Sequence, residues 1–382
     1  MNTTDFDVVI CGAGPVGLSV AALLRQRGMP AARIAIIDAK SADQAAQDPR
    51  TLALSYGSRQ ILDQIGAWPR MAGNAGEIHR IHVSRRGHFG RTVIQCEDYD
   101  LPALGYVMHY GAMVSALTAI LNDSGMTVLR PSRVVAIDES KPALEVHLAD
   151  GSKLDTAVVV QAEGGIFSEQ TAKPLQRDYN QVAIVAHVGV THEITHCAFE
   201  RFTAEGPLAL LPHHDGYALV WCARPDTAGR LLALDDTDFL RALGQAFGGR
   251  LGRFCRLGVR NSYPLGLNAK PPASARVIAV GNAAQTLHPV AGQGFNLGLR
   301  DAKVLSSMLA RDRSPTTLEQ FARQRRDDRQ LTIGLTDAMA RIFASAPDGY
   351  PSQVFLGGTL GLLDVIAPAK RLLAHQFMFG WR

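Results

Sequence analysis

At 382 residues, 47% of them apolar and 19% charged, the chain can bury a large core and divides into two or three units by ordinary domain-size scaling. A formal net charge of +4 does not make a nucleic-acid surface, and the densest basic run, Arg323, Arg325, Arg326 and Arg329, is interrupted by Asp327 and Asp328, which reads as a solvated helix face. Five scattered cysteines without a Cys-x-x-Cys pair indicate neither a disulfide framework nor a zinc site, and no stretch reaches the ~20 apolar residues of a membrane span.

Val8–Ile10 reads as a buried strand and Val16–Arg27 as a helix, with Gly12, Gly14 and Gly17 in the turn between them. In that context the Gly-x-Gly-x-x-Gly spacing is a pyrophosphate cradle. Gly12 permits the tight turn, Gly14 lets phosphates approach backbone N–H groups at a helix N-terminus, and Gly17 lets helix and strand pack closely. Ile34–Ile37 forms a second strand ending in Asp38, at the offset where an acid accepts ribose hydroxyls. Asp5 and Asp7 stand where a secretory signal needs basic residues, so a cytoplasmic protein is expected. Asp48–Ser55 reads as a loop, with Ser55 capping a helix over Tyr56–Trp68 whose Ile61, Leu62 and Ile65 share a face.

Ile78–Ser84 and Thr92–Gln95 read as strands joined through Gly87 and Gly90, and Ala112–Leu121 as a helix. Three strands follow, Thr127–Leu129, Leu144–Leu148 and Thr156–Gln161, the last two joined at Asp150-Gly151; they suggest a small meander. From Val182 to Cys222 strand runs alternate with turn residues without helical crossovers, which predicts a separate antiparallel sheet. A helix over Asp238–Phe247 precedes the buried strand Val277–Val280. That strand leads into a second glycine-rich segment, Gly281 to Gly298, which opens a long helix over Gly294–Ala310. Asn282 at the strand end is placed to meet a ribityl chain. Pro289 to Gly294 lacks bulk, so its N–H groups and the helix dipole, about half a positive charge, can face the anionic edge of a reduced flavin ring. The two segments together predict one bound flavin.

GNAAQTLHPVAGQGFNLGLRD from Gly281, together with the N-terminal glycine motif and Asp48-Pro49-Arg50, resembles the flavoprotein aromatic hydroxylases of ubiquinone biosynthesis over nearly the whole chain. Phe199–Pro212 and Leu219–Cys222 look most like the branch acting on 2-polyprenyl-6-methoxyphenol. The resemblance implies an α/β fold: a Rossmann-like FAD-binding domain of the p-hydroxybenzoate hydroxylase type, an antiparallel-sheet substrate domain and a C-terminal helical segment. The expected divisions are residues 1–72, 103–175 and 268–345 for the discontinuous FAD domain, 73–102 and 176–267 for the substrate domain, and 346–382 for the C-terminal segment. It further implies FAD, NADPH or NADH as electron donor, dioxygen, a polyprenyl-phenol substrate, and hydroxylation through a C4a-hydroperoxyflavin. Carried over by motif, the FAD contacts are Gly12, Gly14, Gly17, Asp38, Arg50, Val134, Asn282, Pro289, Gly292, Gln293, Gly294, Phe295 and Asn296, with Val134 offering its backbone to adenine. The partners expected are the lipid substrate, a membrane surface, other ubiquinone-biosynthesis enzymes and a second copy of the chain, and no nucleic acid.

Two positions depart from the wider superfamily. Asn282 stands where an acid is usual, and an amide can still hydrogen-bond a hydroxyl. Ala162-Glu163-Gly164-Gly165 replaces the usual Asp-Gly, which leaves donor choice and reduction rate open. No second glycine motif exists for a separate nicotinamide domain, in keeping with a donor that binds transiently. No clear base is legible: His288, nearest the ring-facing loop, either braces the loop or acts catalytically. Phe199, Phe202, Leu211 and Trp221 either line an apolar substrate pocket or fill the core. His79, His82 and His88 read as solvated strand residues rather than metal ligands. The tail from Ser352 to Arg382, apolar and punctuated by Lys370, Arg371, Trp381 and Arg382, either lies on a membrane surface or packs on the body. Two rival readings, a flavin dehydrogenase or reductase without oxygen insertion and a non-catalytic FAD-containing scaffold, predict no hydroxylated product.

Overall fold

A computed structural model describes residues 4–87, 91–122, 124–164, 173–269, 274–344 and 367–380. The opening strand, helix and strand are β1 (Phe6–Cys11), α1 (Pro15–Gln26) and β2 (Ile34–Ile37). After α2 (Ala42–Ala46), the segment expected to be a loop contains β3 (Thr51–Ser55), followed by α3 (Tyr56–Gln64). Ser55 caps α3 as expected, its side chain accepting from the Ser58 N–H. The next run divides into β4 (Gly76–Ile78) and β5 (Arg80–Arg85), followed by β6 (Arg91–Gln95), β7 (Gly105–His109) and α4 (Tyr110–Leu121). Then come β8 (Thr127–Leu129), β9 (Val134–Asp138), β10 (Leu144–Leu148) and β11 (Lys153–Gln161).

The remaining strands are β12 (Leu175–Val190), β13 (Cys197–Phe202), β14 (Pro207–Pro212), β15 (Tyr217–Ala223), β16 (Phe254–Leu257), β17 (Asn261–Ala269), β18 (Val277–Ala279) and β19 (Gln285–Thr286). Helices α5 (Pro225–Ala233) and α6 (Asp236–Phe247) follow β15, and α7 (Gln293–Leu309), α8 (Pro315–Ala344) and α9 (Ala367–Phe379) close the chain.

Three sheets result. The first runs β8-β2-β1-β11-β10-β9, with β18 also paired to β11. Its β8, β2, β1, β11 and β18 are parallel, because helical crossovers such as α1 return the chain to the same edge. The meander is β9-β10-β11; Thr127–Leu129, expected within it, pairs instead with β2 in parallel. The second sheet runs β19-β17-β12-β15-β14-β13-β5-β6, with β16 on β12, and is antiparallel except where β13 meets β5. A small third sheet, β3-β7-β4, is threaded among them, with β5 and β6 of the second sheet inserted between β4 and β7.

One face of the large sheet is closed. Phe199, Leu208, Leu210, Leu219 and Trp221 pack with Phe239, Leu243 and Phe247 of α6 into a buried core. Phe199 and Trp221 are therefore core residues, not pocket lining. The basic run also differs from expectation. Arg325 and Asp328 are buried in α8, because they form a network with Arg300 and Asp301 of α7. Asp301 accepts from Arg325 Nε at 2.7 Å and from Arg329 Nε at 3.0 Å.

Candidate active site

The two glycine-rich segments meet. A Cβ built on Gly298 would lie 2.9 Å from a methyl of Val16 and 3.0 Å from the Cα of Gly281, and one on Gly281 would lie 3.3 Å from Val16. The N-terminal turn of α1 and the second segment thus border one region. The second segment also links two sheets, since β18, which leads into it, pairs with β11 and its own β19 pairs with β17.

At the first segment Gly12 has φ +112°, and a Cβ there would strike the Ala162 carbonyl at 2.7 Å. Gly17 abuts the Gly12 carbonyl so closely that a Cβ would lie 1.9 Å from it, which is the helix-strand contact expected of the third glycine. Gly14 is the N-cap of α1 without a side-chain cap, so backbone N–H groups face outward there. Asp38 follows β2; its Oδ2 accepts from the Ala13 N–H at 2.6 Å and its Oδ1 from the Lys40 N–H at 2.7 Å. Each oxygen retains a lone pair for a sugar hydroxyl. Arg50 forms a bidentate pair with Asp48 and lies over the Tyr110 ring at 4.7 Å. The Tyr110 hydroxyl lies 2.9 Å from a Cβ built on Gly14, so the guanidinium stands beside the phosphate turn. Asp48 is held below the usual carboxylate range: burial pushes it up, and hydrogen bonding and charge from Arg50 outweigh that.

A cavity of about 400 Å³ opens at the carboxyl ends of β1 and β11, lined by Cys11, Gln161, Glu163, Val134 and the rest of the β9 edge. Val134 thereby joins the region of the first motif. Glu163 is raised by partial withdrawal from water and by the charge of Asp38, against a lowering by Arg133.

In the second segment Asn282 is exposed beyond β18, Pro289 is half-buried, and Gly292 has φ +60° as the N-cap of α7. A Cβ built on Gly294 meets nothing within 4 Å, which leaves open space at the first turn of α7. Two expected contacts face inward instead. Asn296 is buried, accepting from the Ser55 N–H and Ser58 hydroxyl and donating to the Ala53 and Gly292 carbonyls. Gln293 is buried and donates to the Phe377 carbonyl at 3.4 Å, and Phe295 packs in part on the hydrophobic cluster built around α1, α4 and α7. The Asn296 and Gln293 side chains turn to β3, α3 and α9, so backbone is what these two positions offer a ligand, whereas Phe295 is half-buried.

His288 is a bracing residue. It is fully buried; the Val290 N–H donates to its Nδ1 at 3.2 Å, so Nε2 carries the proton and donates to Gln181 Oε1 at 3.0 Å. Burial pushes it down to about 3, and the neutral ring ties the second segment to β12. His82 is buried rather than solvated, His79 pairs with Glu77, and His88 lies outside the described residues.

Opposite these segments, the second face of the large sheet stays partly accessible. Val185, Val220, Ala209 and Val83 align across β12, β15, β14 and β5, and Leu211 continues the same face. Phe202, on the same face of β13, is buried against Val83 and Val290 of the second segment rather than lining open space. His213 continues that face, with His109 and His214 close enough that the ligating nitrogens of all three lie within 4.8 Å of one another. The sequence spacing gave no sign of that cluster. Burial and the neighbouring His214, His109 and His187 push His213 down to about 3.

The residues fit a flavin dinucleotide: an uncapped helix N-terminus for phosphate, an acid for ribose, open space at Gly294 for the ring, and an aliphatic sheet face beyond it. A family described as FAD binding domain matches residues 5–333. The chain is 32% identical over 392 residues to the ubiquinone hydroxylase UbiL of Rhodospirillum rubrum, covering 97% of this chain and 89% of that one. It is 27% identical over 326 residues to 3-demethoxyubiquinol 3-hydroxylase of Escherichia coli, covering 82% of each. Among solved structures, p-nitrophenol 4-monooxygenase PnpA from Pseudomonas putida aligns with a TM-score of 0.75 at 17% identity, over 99% of this chain and 98% of that one, a shared fold.

Proposed function

This chain belongs to the FAD binding domain family, among its ubiquinone-biosynthesis flavin hydroxylases, and on that footing we propose that it hydroxylates the ring of a polyprenylated phenol. It is an FAD-dependent monooxygenase, using a reduced nicotinamide and dioxygen. The observation that carries the proposal is the meeting of Val16, Gly281 and Gly298 across from a partly accessible aliphatic sheet face, which suits a flavin ring and an apolar phenol.

In this reading the N–H groups of Val16 and Gly17 in the first turn of α1, with Arg50, bind the pyrophosphate, Asp38 binds ribose, and the Val134 backbone borders adenine. Asn282 meets the ribityl chain, and the backbone of Pro289 to Gly294 faces the ring. The bound flavin supplies electron transfer and oxygen activation. The protein's own contribution is orientation and exclusion of water: Val185, Val220, Ala209 and Leu211 hold the phenol ring against the second segment, and His288 fixes that segment through Gln181. The aliphatic lining favours the lipid substrate over a charged one.

The described part of the tail, α9, packs on the body: Met378 and Ala374 are buried, and Phe379 makes an edge contact with Tyr56 at 6.3 Å. Its Leu372 is 63% exposed beside exposed Arg371, which supports peripheral contact with the membrane that holds the substrate. No helix among the described residues is long and apolar enough to cross a membrane.

The test is steady-state oxidation of NADPH or NADH by the purified yellow protein, with product identified by mass. A short-tailed 2-prenyl-6-methoxyphenol is expected to accelerate oxidation and to gain one oxygen. Oxidation that is independent of the phenol and yields no hydroxylated product contradicts the proposal.

A further inference from the structure

Glu200 is a carboxyl on the sheet face that looks toward the glycine-rich segments. Along β13 side chains alternate. Cys197 and Phe199 enter the closed core under α6, whereas Ala198 packs with Ile78 and Val107 of the small sheet and Phe202 packs with Val290 of the second segment. Glu200 lies between Ala198 and Phe202 on that second side, in register with Ala209 of β14 and Val83 of β5. Among the described residues its Oε1 is buried without a hydrogen-bond partner. Withdrawal from water, with no cation to offset it, raises its carboxyl to about 7. The side chain as a whole is half-buried, so it is this one oxygen that lacks a partner, and a buried unpaired carboxyl oxygen is costly and calls for a reason. A phenolic hydroxyl brought to this aliphatic face would supply the missing donor.

Resting on the reading above, we propose that Glu200 is the catalytic base that accepts the hydroxyl proton of the phenol substrate as its ring is oxygenated. The phenol O–H bond breaks, its proton goes to Oε1, and its electron pair moves into the ring. A ring-carbon electron pair forms the C–O bond to one atom of dioxygen. The O–O bond breaks as that C–O bond forms, and the second atom leaves as water, reduced by the two electrons that the nicotinamide gives up as hydride and protonated with a proton from solvent. Loss of the proton from the oxygenated carbon restores aromaticity, the substrate oxygen regains a proton, and Glu200 returns its own to solvent. A base of this strength is half ionised near neutral pH, the balance general base catalysis favours.

The experiment compares FAD-loaded wild type with Glu200→Gln and Glu200→Asp, using a short-tailed 2-prenyl-6-methoxyphenol. Affinity is read from the change in flavin absorbance on binding the phenol, turnover from product formed per nicotinamide oxidised, and ionisation from the pH profile and solvent deuterium effect on kcat/KM. Glu200→Gln is expected to bind the phenol within threefold of wild type and to oxidise the nicotinamide, but to form product roughly 100-fold more slowly. Its reducing equivalents then leave as hydrogen peroxide. The ascending limb of the wild-type profile disappears in Glu200→Gln and persists in Glu200→Asp at reduced height.

Product formation by Glu200→Gln within threefold of wild type with the limb intact overturns the assignment, and so does equal loss of phenol binding and product. Should Glu200→Gln not retain FAD, the wild type decides: a profile flat across neutrality overturns the assignment, and a limb that persists in Glu200→Asp supports it. A wild type that never hydroxylates the phenol contradicts the proposed function itself, a different outcome from a wild type and a Glu200→Gln that hydroxylate equally.

Discussion

At Gly17 the tolerance for change is set by backbone, not by side chains. Replacing it with alanine drives a methyl to within 1.9 Å of the Gly12 carbonyl, so Gly17→Ala is expected to lose FAD, giving a colourless preparation with a lowered Tm. Arg50→Ala removes the cation beside the phosphate turn and leaves Asp48 without its bidentate partner; flavin content measured by absorbance is expected to fall at least tenfold. Glu200 allows a pH prediction with a definite sign. Its carboxyl is raised from 4.5 to about 7 on folding, so its contribution to stability is full below the lower value and lost as pH rises through the upper one. Between about pH 4 and pH 8 the wild type should lose on the order of 3 kcal/mol more stability than Glu200→Gln, which cannot ionise. Denaturant unfolding at the two pH values checks this, and equal losses contradict it. The roles of Gly12 and Gly17 were legible because a glycine motif between strand and helix has few other uses. Glu200 was not, although it stands in the quoted Phe199–Pro212 segment. Strand alternation puts it opposite Phe199, but only the placement of α6 tells which side is core.

Elements show the same division between local and tertiary signals. Val8–Ile10, Ile34–Ile37, the hairpin at Asp150-Gly151 and the helix opened by the second glycine segment were readable from apolar runs and turn residues. Strand β17 was not, because Pro264 and Gly266 weaken a strand pattern, and only its long pairing with β12 overrides them. β3 was hidden for a similar reason: it is short and owes its form to pairing with β7 and to Asn296 of α7. Within the basic run of α8, Arg323, Arg326 and Asp327 are exposed as expected, but Arg325 and Asp328 are buried, since charge alone does not reveal a partner element. Asp301, on α7, holds Arg325 and Arg329 of α8, and Gln376 of α9 reaches Asp328 at 3.3 Å. Asp301→Ala would leave Arg325 with Asp328 alone and take from Arg329 the carboxylate it is paired with, a loss expected to be about 3–5 kcal/mol in chemical unfolding. A change under 1 kcal/mol would mean that the network is solvated in solution.

Across the molecule, a parallel sheet carries the first glycine turn, a largely antiparallel sheet offers an accessible aliphatic face, and the chain from β18 through β19 to α7 joins the two. That arrangement explains why the cofactor reading survives two departures from the usual motifs: Asn282 is exposed at the strand end and Glu163 borders the cavity, so each keeps its place while changing its chemistry. It also explains why Gln293, Phe295 and Asn296 were assigned to the ligand from sequence, and why His288 was left between bracing and catalysis. They belong to the segment that borders it, but their side chains hold that segment to β12, α3 and the tail. The most direct measurement is turnover of a short-tailed 2-prenyl-6-methoxyphenol under isotopically labelled dioxygen, with product mass read against an unlabelled control. One labelled oxygen atom per product molecule, with one nicotinamide consumed for each, is the predicted result; hydroxylated product without label, or nicotinamide oxidation with no product, would contradict it.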